Sequence, residues 1–80
     1  MSKQSPSSLK SHAEKAIKDF LDTLDGETCV DVHSMVIEQV EEPVLKAVME
    51  YNLNNQSKAA AMLGLNRGTL RKKLRQYKLL

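Results

Sequence analysis

The chain has 80 residues, 41% of them hydrophobic and 28% charged, which leaves room for one small core and excludes two independently folding domains. Its formal net charge of +2 conceals an uneven distribution: residues 1–50 carry five Lys against ten Asp and Glu, whereas residues 51–80 carry seven Lys and Arg and no acid. An acidic body with a basic end fits a polyanion-binding element on a scaffold that does not itself bind the polyanion; a solvated basic tail is the plainer alternative.

A monomer this short buries only about 60% of the surface its unfolded chain exposes, so an additional staple is expected. Cys29 is the one cysteine, and His12 and His33 are the only histidines. Neither an intrachain disulfide nor a four-ligand zinc site of Cys and His can form from that set. No metal and no cofactor are expected, and oligomerisation is the staple that remains. The N-terminus has no apolar stretch of signal-peptide length, and the longest run of apolar or glycine residues is Ala59–Leu65. The expectation is a cytoplasmic protein without a membrane segment.

Residues 1–8 are polar, serine-rich and interrupted by Pro6, and read as a flexible N-terminal arm. From Leu9 the apolar residues Ala13, Ala16, Ile17, Phe20, Leu21 and Leu24 follow at helical spacing, predicting a helix over about residues 9–24 with one apolar face. Glu14, Asp19 and Asp22 lie off that face and read as solvated. Asp25-Gly26 supplies a turn pair, and Cys29 reads as a small residue of the short connection.

Asp31 can cap a second helix with an apolar stripe of Val32, Met35, Val36, Val40, Val44, Val48 and Tyr51. Ile37, Leu45 and Met49 lie off the stripe, so this helix is apolar around much of its circumference. Such a helix sits between two layers, and the chain has too few helices to provide both. Pro43 should kink it; the alternative is two helices, the second beginning at Pro43. The stripe continues in phase across the proline, which favours one kinked helix. Asp31, His33 and Ser34 on one helix cannot build a catalytic triad with an oxyanion hole, so no enzyme is expected. The methionines Met35, Met49 and Met62 read as core fillers.

Asn55 can cap a short helix from Gln56 to about Leu63, which Gly64 ends. Asn66 can cap a last helix from Arg67 to about Tyr77. Two short helices joined by a glycine-containing turn make a helix-turn-helix. Ala59, Ala60, Leu63, Leu65, Leu70 and Leu74 supply the small or apolar residues needed where the helices cross. The last helix carries five basic residues between Arg71 and Lys78 with no acid in its own sequence to pair them. In a recognition helix the N-terminal residues reach base edges and the flanking residues hold phosphates. Arg67 is therefore the candidate for reading guanine through its O6 and N7, and Asn66 is either a cap or a base contact.

Residues 55–75, and above all Asn-Arg-Gly-Thr-Leu-Arg-Lys-Lys-Leu at 66–74, resemble the Fis family of nucleoid-associated proteins. The likeness runs from Leu9 to about Tyr77 and includes Asp25-Gly26 and the placement of Pro43. The resemblance implies an all-α, four-helix protomer with residues 9–52 interlocked as a homodimer and residues 53–80 forming the DNA-binding region, one structural domain over 9–80. It further implies two recognition helices set closer together than one turn of B-DNA, so that the duplex bends and A·T-rich, deformable double-stranded sites are preferred. Nucleoid organisation and transcriptional regulation follow as its expected roles.

Matched position by position, Arg67 would read guanine and Asn66 would touch a base edge. Asn55, Ser57, Thr69, Arg71, Lys72 and Lys73 would hold the backbone, with Lys58, Arg75 and Lys78 on flanking DNA. Residues 1–8 have no counterpart of the family's N-terminal β-hairpin arm, so contact with DNA invertases is not expected. Leu53 and Asn54 replace the Arg-Gly pair of the family's RNA polymerase contact, which leaves that contact open, and Gln76 replaces a lysine. A similar terminal helix-turn-helix ends sigma-54-dependent activators, but Met1 and the absence of an ATPase domain favour a complete small protein. A helical dimer acting as a protein-interaction module is the alternative from another class; RNA binding is disfavoured because the basic helix has no aromatic residue before Tyr77 for stacking.

Overall fold

The computed structural model of the protein describes residues 6–24 and 31–80. Four helices follow in chain order: α1 (Pro6–Thr23), α2 (Val32–Tyr51), α3 (Gln56–Leu63) and α4 (Arg67–Gln76). Two compact units are distinguishable, residues 1–36 and residues 37–80, with the boundary inside α2. The expected turn at Asp25-Gly26 and Cys29 lie outside the described residues.

In the first unit, α1 begins at Pro6, three residues before the expected start, so residues 6–8 are helix and not arm. The physical reason is that proline suits the first helical position, where its missing N–H would have had no partner and its fixed φ is already helical. Exposed i,i+4 ion pairs, Glu14–Lys18 at 3.2 Å and Lys15–Asp19 at 3.3 Å, run along its polar side. Of the apolar face, Leu9 and Leu21 are exposed, while Ile17 and Phe20 are half-buried. Asp31, with φ of 62°, accepts hydrogen bonds from the Ser34 hydroxyl at 3.0 Å and, through its carbonyl, from the Met35 N–H at 3.2 Å.

The second unit holds the core. Helix α2 is one continuous helix with Pro43 inside it, which settles the choice between one helix and two in favour of one. The proline removes a single bond to the carbonyl of Gln39, and the helical phase continues on both sides of it. Leu45 from α2, Ala59 and Ala60 from α3, and Leu70 and Leu74 from α4 are fully buried together, with Val48, Met49, Leu63, Tyr77 and Leu79 packed against them. The off-stripe residues Leu45 and Met49 therefore cover the helix-turn-helix. The stripe residues Val40, Val44 and Tyr51 are exposed, as is Ile37. Met62, expected as a core filler, is also exposed; it lies on the outer side of α3, where its sulfur accepts a 3.6 Å contact from the Asn52 amide.

The turns have clear local causes. Between α2 and α3, Leu53 and Asn54 both take the left-handed conformation, with φ of 55° and 64°, and the Asn54 N–H returns to the Met49 carbonyl at 2.8 Å. Between α3 and α4, Gly64 has φ of 74°, and the Leu65 N–H reaches the Ala60 carbonyl at 2.9 Å, closing α3 in the manner of a Schellman cap. Beyond Gly64 and its two chain neighbours, no heavy atom lies within 4 Å of where an alanine Cβ would stand, so an alanine there meets only backbone strain. Gly64→Ala is expected to cost about 1 kcal/mol, read as a lowered midpoint in chemical unfolding with unchanged slope. No helix among the described residues is long and apolar enough to cross a membrane.

Candidate nucleic-acid interface

Helix α4 is held in place at its N-terminus by Asn66, whose Oδ1 accepts the Thr69 N–H at 2.7 Å. Asn55 does the same for α3, accepting the Lys58 N–H at 3.0 Å. The sequence left Asn66 between cap and base contact; its oxygen caps α4, and its amide N–H groups take no part in that cap. With Leu70 and Leu74 turned into the core, Arg67, Gly68, Lys72, Arg75 and Gln76 are the exposed residues of α4, and Thr69, Arg71 and Lys73 are half-buried. Arg67 and Lys72, and Arg75 beyond them, are exposed, and their side chains make no hydrogen bond or ion pair among the described residues. Lys78 is exposed just past the helix, with φ of 59°. On α3, Ser57 and Lys58 are exposed in the first turn, and Thr69 of α4 is half-buried at the third helical position.

Two basic residues of α4 are already engaged. Arg71 donates from Nη1 to Gln56 Oε1 at 2.9 Å, a link from α4 to the start of α3. Lys73 donates from Nζ to Glu41 Oε2 at 2.8 Å, and Tyr77 donates its hydroxyl to Glu41 Oε1 at 2.7 Å. The basic helix thus has an acidic partner after all, supplied by α2 from 32 residues away. Sequence reasoning missed Glu41, Gln56 and Tyr77 as parts of the site. A faint signal existed: Lys73 and Tyr77 are one turn apart beside the Leu70/Leu74 stripe, and Glu41 is one turn before Leu45, the buried residue of α2.

Two donors on one carboxylate hold Glu41 below its ordinary range, first through the Lys73 hydrogen bond and then through that of Tyr77, against a smaller opposing effect of burial. The bond to Glu41 pushes the Tyr77 phenol up to about 12, with burial and the charges of Glu41, Glu38 and Glu42 adding to it. A lowered carboxylate contributes stability that is present above its ordinary value of 4.5 and lost as pH falls through 4.5 and its folded value. A raised phenol contributes stability that is complete below 10.0 and lost as pH rises from there through about 12. Thermal unfolding followed across the acid limb should therefore show a smaller loss for Glu41→Gln than for the wild type, from a lower starting point. Among the described residues no group of three or more His, Cys, Asp and Glu is placed to hold a metal ion.

A family model described as "Bacterial regulatory protein, Fis family" matches residues 36–77, which correspond closely to the second unit. "DNA-binding protein Fis" of Actinobacillus succinogenes is 48% identical over 69 residues, covering 86% of this chain and 70% of that protein. The protein of the same description from Aeromonas hydrophila is 44% identical over the same shares. The "Putative Fis-like DNA-binding protein" of Pseudomonas aeruginosa is 48% identical over 77 residues, covering 96% of this chain and 74% of its own. With a helix-turn-helix packed on a long preceding helix and a family match over that same unit, the chain belongs to the Fis family of bacterial regulatory proteins.

Proposed function

We propose that this protein binds double-stranded DNA as a homodimer, places α4 of each chain in the major groove, and bends the duplex as a nucleoid-associated transcriptional regulator. One observation carries the reading: the outward side of α4 presents Arg67, Lys72 and Arg75 unengaged, on a helix-turn-helix whose region from residue 51 onward contains no acid. Arg67 stands at the first position of α4, where a side chain reaches base edges. The set Asn55, Ser57, Thr69, Arg71 and Lys72 supplies backbone contacts, and Lys58, Arg75 and Lys78 reach flanking phosphates. Arg71 enters that set already oriented by Gln56, which reduces the side-chain ordering that binding must bring about.

Dimerisation is supported by the apolar surface left uncovered in each unit. On α2 the residues Ile37, Val40, Val44 and Tyr51 are exposed, Tyr51 at 76%; on α1 so are Leu9 and Leu21. A chain of 80 residues with that much apolar surface in water gains most by covering it with a second copy. A·T-rich, deformable sites follow from the bend: flexible steps cost less to deform. The work is binding and positioning, and no chemical step is assigned to it.

Sedimentation at micromolar concentration tests the dimer. The expected particle has twice the 9.0 kDa mass of the chain, and a species at the chain mass would remove the geometry on which bending depends. If each half neutralises about four phosphates, log K should fall against log salt with a slope of about −7.

A further inference from the structure

Helix α4 is 10 residues long, and the fully buried residues that α3 offers it are Ala59 and Ala60, with Leu63 half-buried beside them. A surface of small side chains offers close contact but little to stop a helix from turning about its own axis. Directional bonds do that better: Arg71 supplies one to Gln56 of α3, and α4 with its C-cap Tyr77 supplies two more to a single residue of α2. Lys73 and Tyr77, one turn or about 6 Å apart along the helix, each take one oxygen of Glu41, at 2.8 and 2.7 Å. Both side-chain charges of the ion pair are three-tenths or less exposed, 30% for Lys73 and 25% for Glu41.

We propose that Glu41 is a positioning residue for DNA recognition, fixing the rotation and height of α4 through Lys73 and Tyr77, and that Lys73 serves this clamp and not a phosphate. The inference rests on the DNA-binding reading above and deepens it. Lys73 is three residues after Leu70 and one before Leu74, so it flanks the buried stripe where Lys72 and Arg75 face away from it. If Lys73 turned from Glu41 to a phosphate, the Glu41 carboxylate, its side chain only 25% exposed, would lose its cation. Glu41 also accepts the Tyr77 hydroxyl at 2.7 Å, so releasing Lys73 would leave only one of the two bonds that tie this end of α4 to α2. Arg67 lies six residues toward the start of the same rigid helix. Bidentate reading of a base tolerates errors of only about 0.5 Å and ~10–20°, which a helix free to turn would exceed.

Electrostatics alone predicts the opposite effect of removing Glu41. Deleting an acid beside a DNA-binding helix should tighten binding to every duplex. The clamp predicts weaker binding to a preferred duplex and poorer discrimination. Suitable probes are the tightest duplex that the full chain selects from a random-sequence pool and a scrambled duplex of equal length and composition. Affinity is measured over a salt series for the wild type, Glu41→Gln, Tyr77→Phe and Lys73→Met, each first confirmed folded by thermal unfolding.

Glu41→Gln is expected to lower the ratio of selected to scrambled affinity by about ten-fold, in line with the ~100-fold that a misplacement near 1 Å can cost. Tyr77→Phe, which removes one bond and leaves the ion pair, should lower it less. Lys73→Met should lower the ratio while leaving the salt slope unchanged. A slope made shallower by ~1.8 for two lysines per dimer, with the ratio intact, would make Lys73 a phosphate contact and overturn the assignment. Equal tightening on both duplexes by Glu41→Gln would overturn the clamp and reduce Glu41 to a repelling charge. Failure of the wild type to bind either duplex would instead overturn the DNA-binding reading, and the clamp's role in recognition with it.

Discussion

Leu70→Ala is expected to destabilise the helix-turn-helix by about 2–5 kcal/mol, the cost of a cavity where a leucine had been completely enclosed. Leu70 is 0% exposed and meets Leu45 of α2, Ala59 and Ala60 of α3, and Leu74 of its own helix. The neighbours are ill-suited to fill the space, because the two alanines have no side chain to extend into it. A domain of this size has only ~5–15 kcal/mol of net stability, so the substitution removes a large part of it. Helix α4 cannot stand alone at its length, since isolated helices shorter than about 12–15 residues are marginal in water. Chemical unfolding should show a strongly lowered midpoint, and DNA affinity should fall with it. Leu53→Ala is the matched control: at 89% exposed it should stay within about 0.5 kcal/mol of the wild type.

Arg67→Ala should do the reverse, leaving the fold untouched and removing recognition. Its side chain is exposed and makes no hydrogen bond or ion pair among the described residues, so the unfolding midpoint should not move. If it donates to guanine O6 and N7, its loss costs about 1–3 kcal/mol for each half of the dimer. The preference for guanine at that position should relax at the same time. Titration of the variant on duplexes differing only at the candidate guanine checks this. A uniform loss on all duplexes would assign Arg67 to the backbone, and no loss would favour the protein-interaction reading.

The contrast between these two residues shows what a sequence can carry. Helices α3 and α4 were legible almost residue for residue because their limits have local causes: Asn55 and Asn66 cap through their own side chains, and Gly64 adopts the left-handed φ that ends α3. The core at Ala59, Ala60, Leu70 and Leu74 followed from helical period and from the small residues that a close crossing requires. Pro43 was harder. Whether a proline bends one helix or begins another depends on what its two halves pack against, and local rules weigh both outcomes similarly. At the start of α1 the serine-rich composition masked the suitability of Pro6 for a first helical turn.

The arrangement around Lys73 was not legible, for a different reason. Reading α4 alone, its charges have no acid among them, and the conclusion that all face a polyanion follows naturally. Glu41 meets Lys73 only after α2 packs on the helix-turn-helix, and packing across such a separation leaves no periodic trace. Met62 failed similarly: its apolar character fitted a core position, but the rotation of α3 was set by Ala59 and Ala60, which turned it outward. Apolar residues identify a core best where their period is long enough to fix a face, and α3 has only 8 residues.

The most direct test of the account is a mobility-shift titration of the full chain on a circularly permuted set of A·T-rich duplexes at low salt. A discrete complex containing two chains, with mobility that depends on the position of the site in the duplex, is the predicted result. Absence of any shift at low salt would contradict DNA binding, and a complex whose mobility ignores site position would contradict bending.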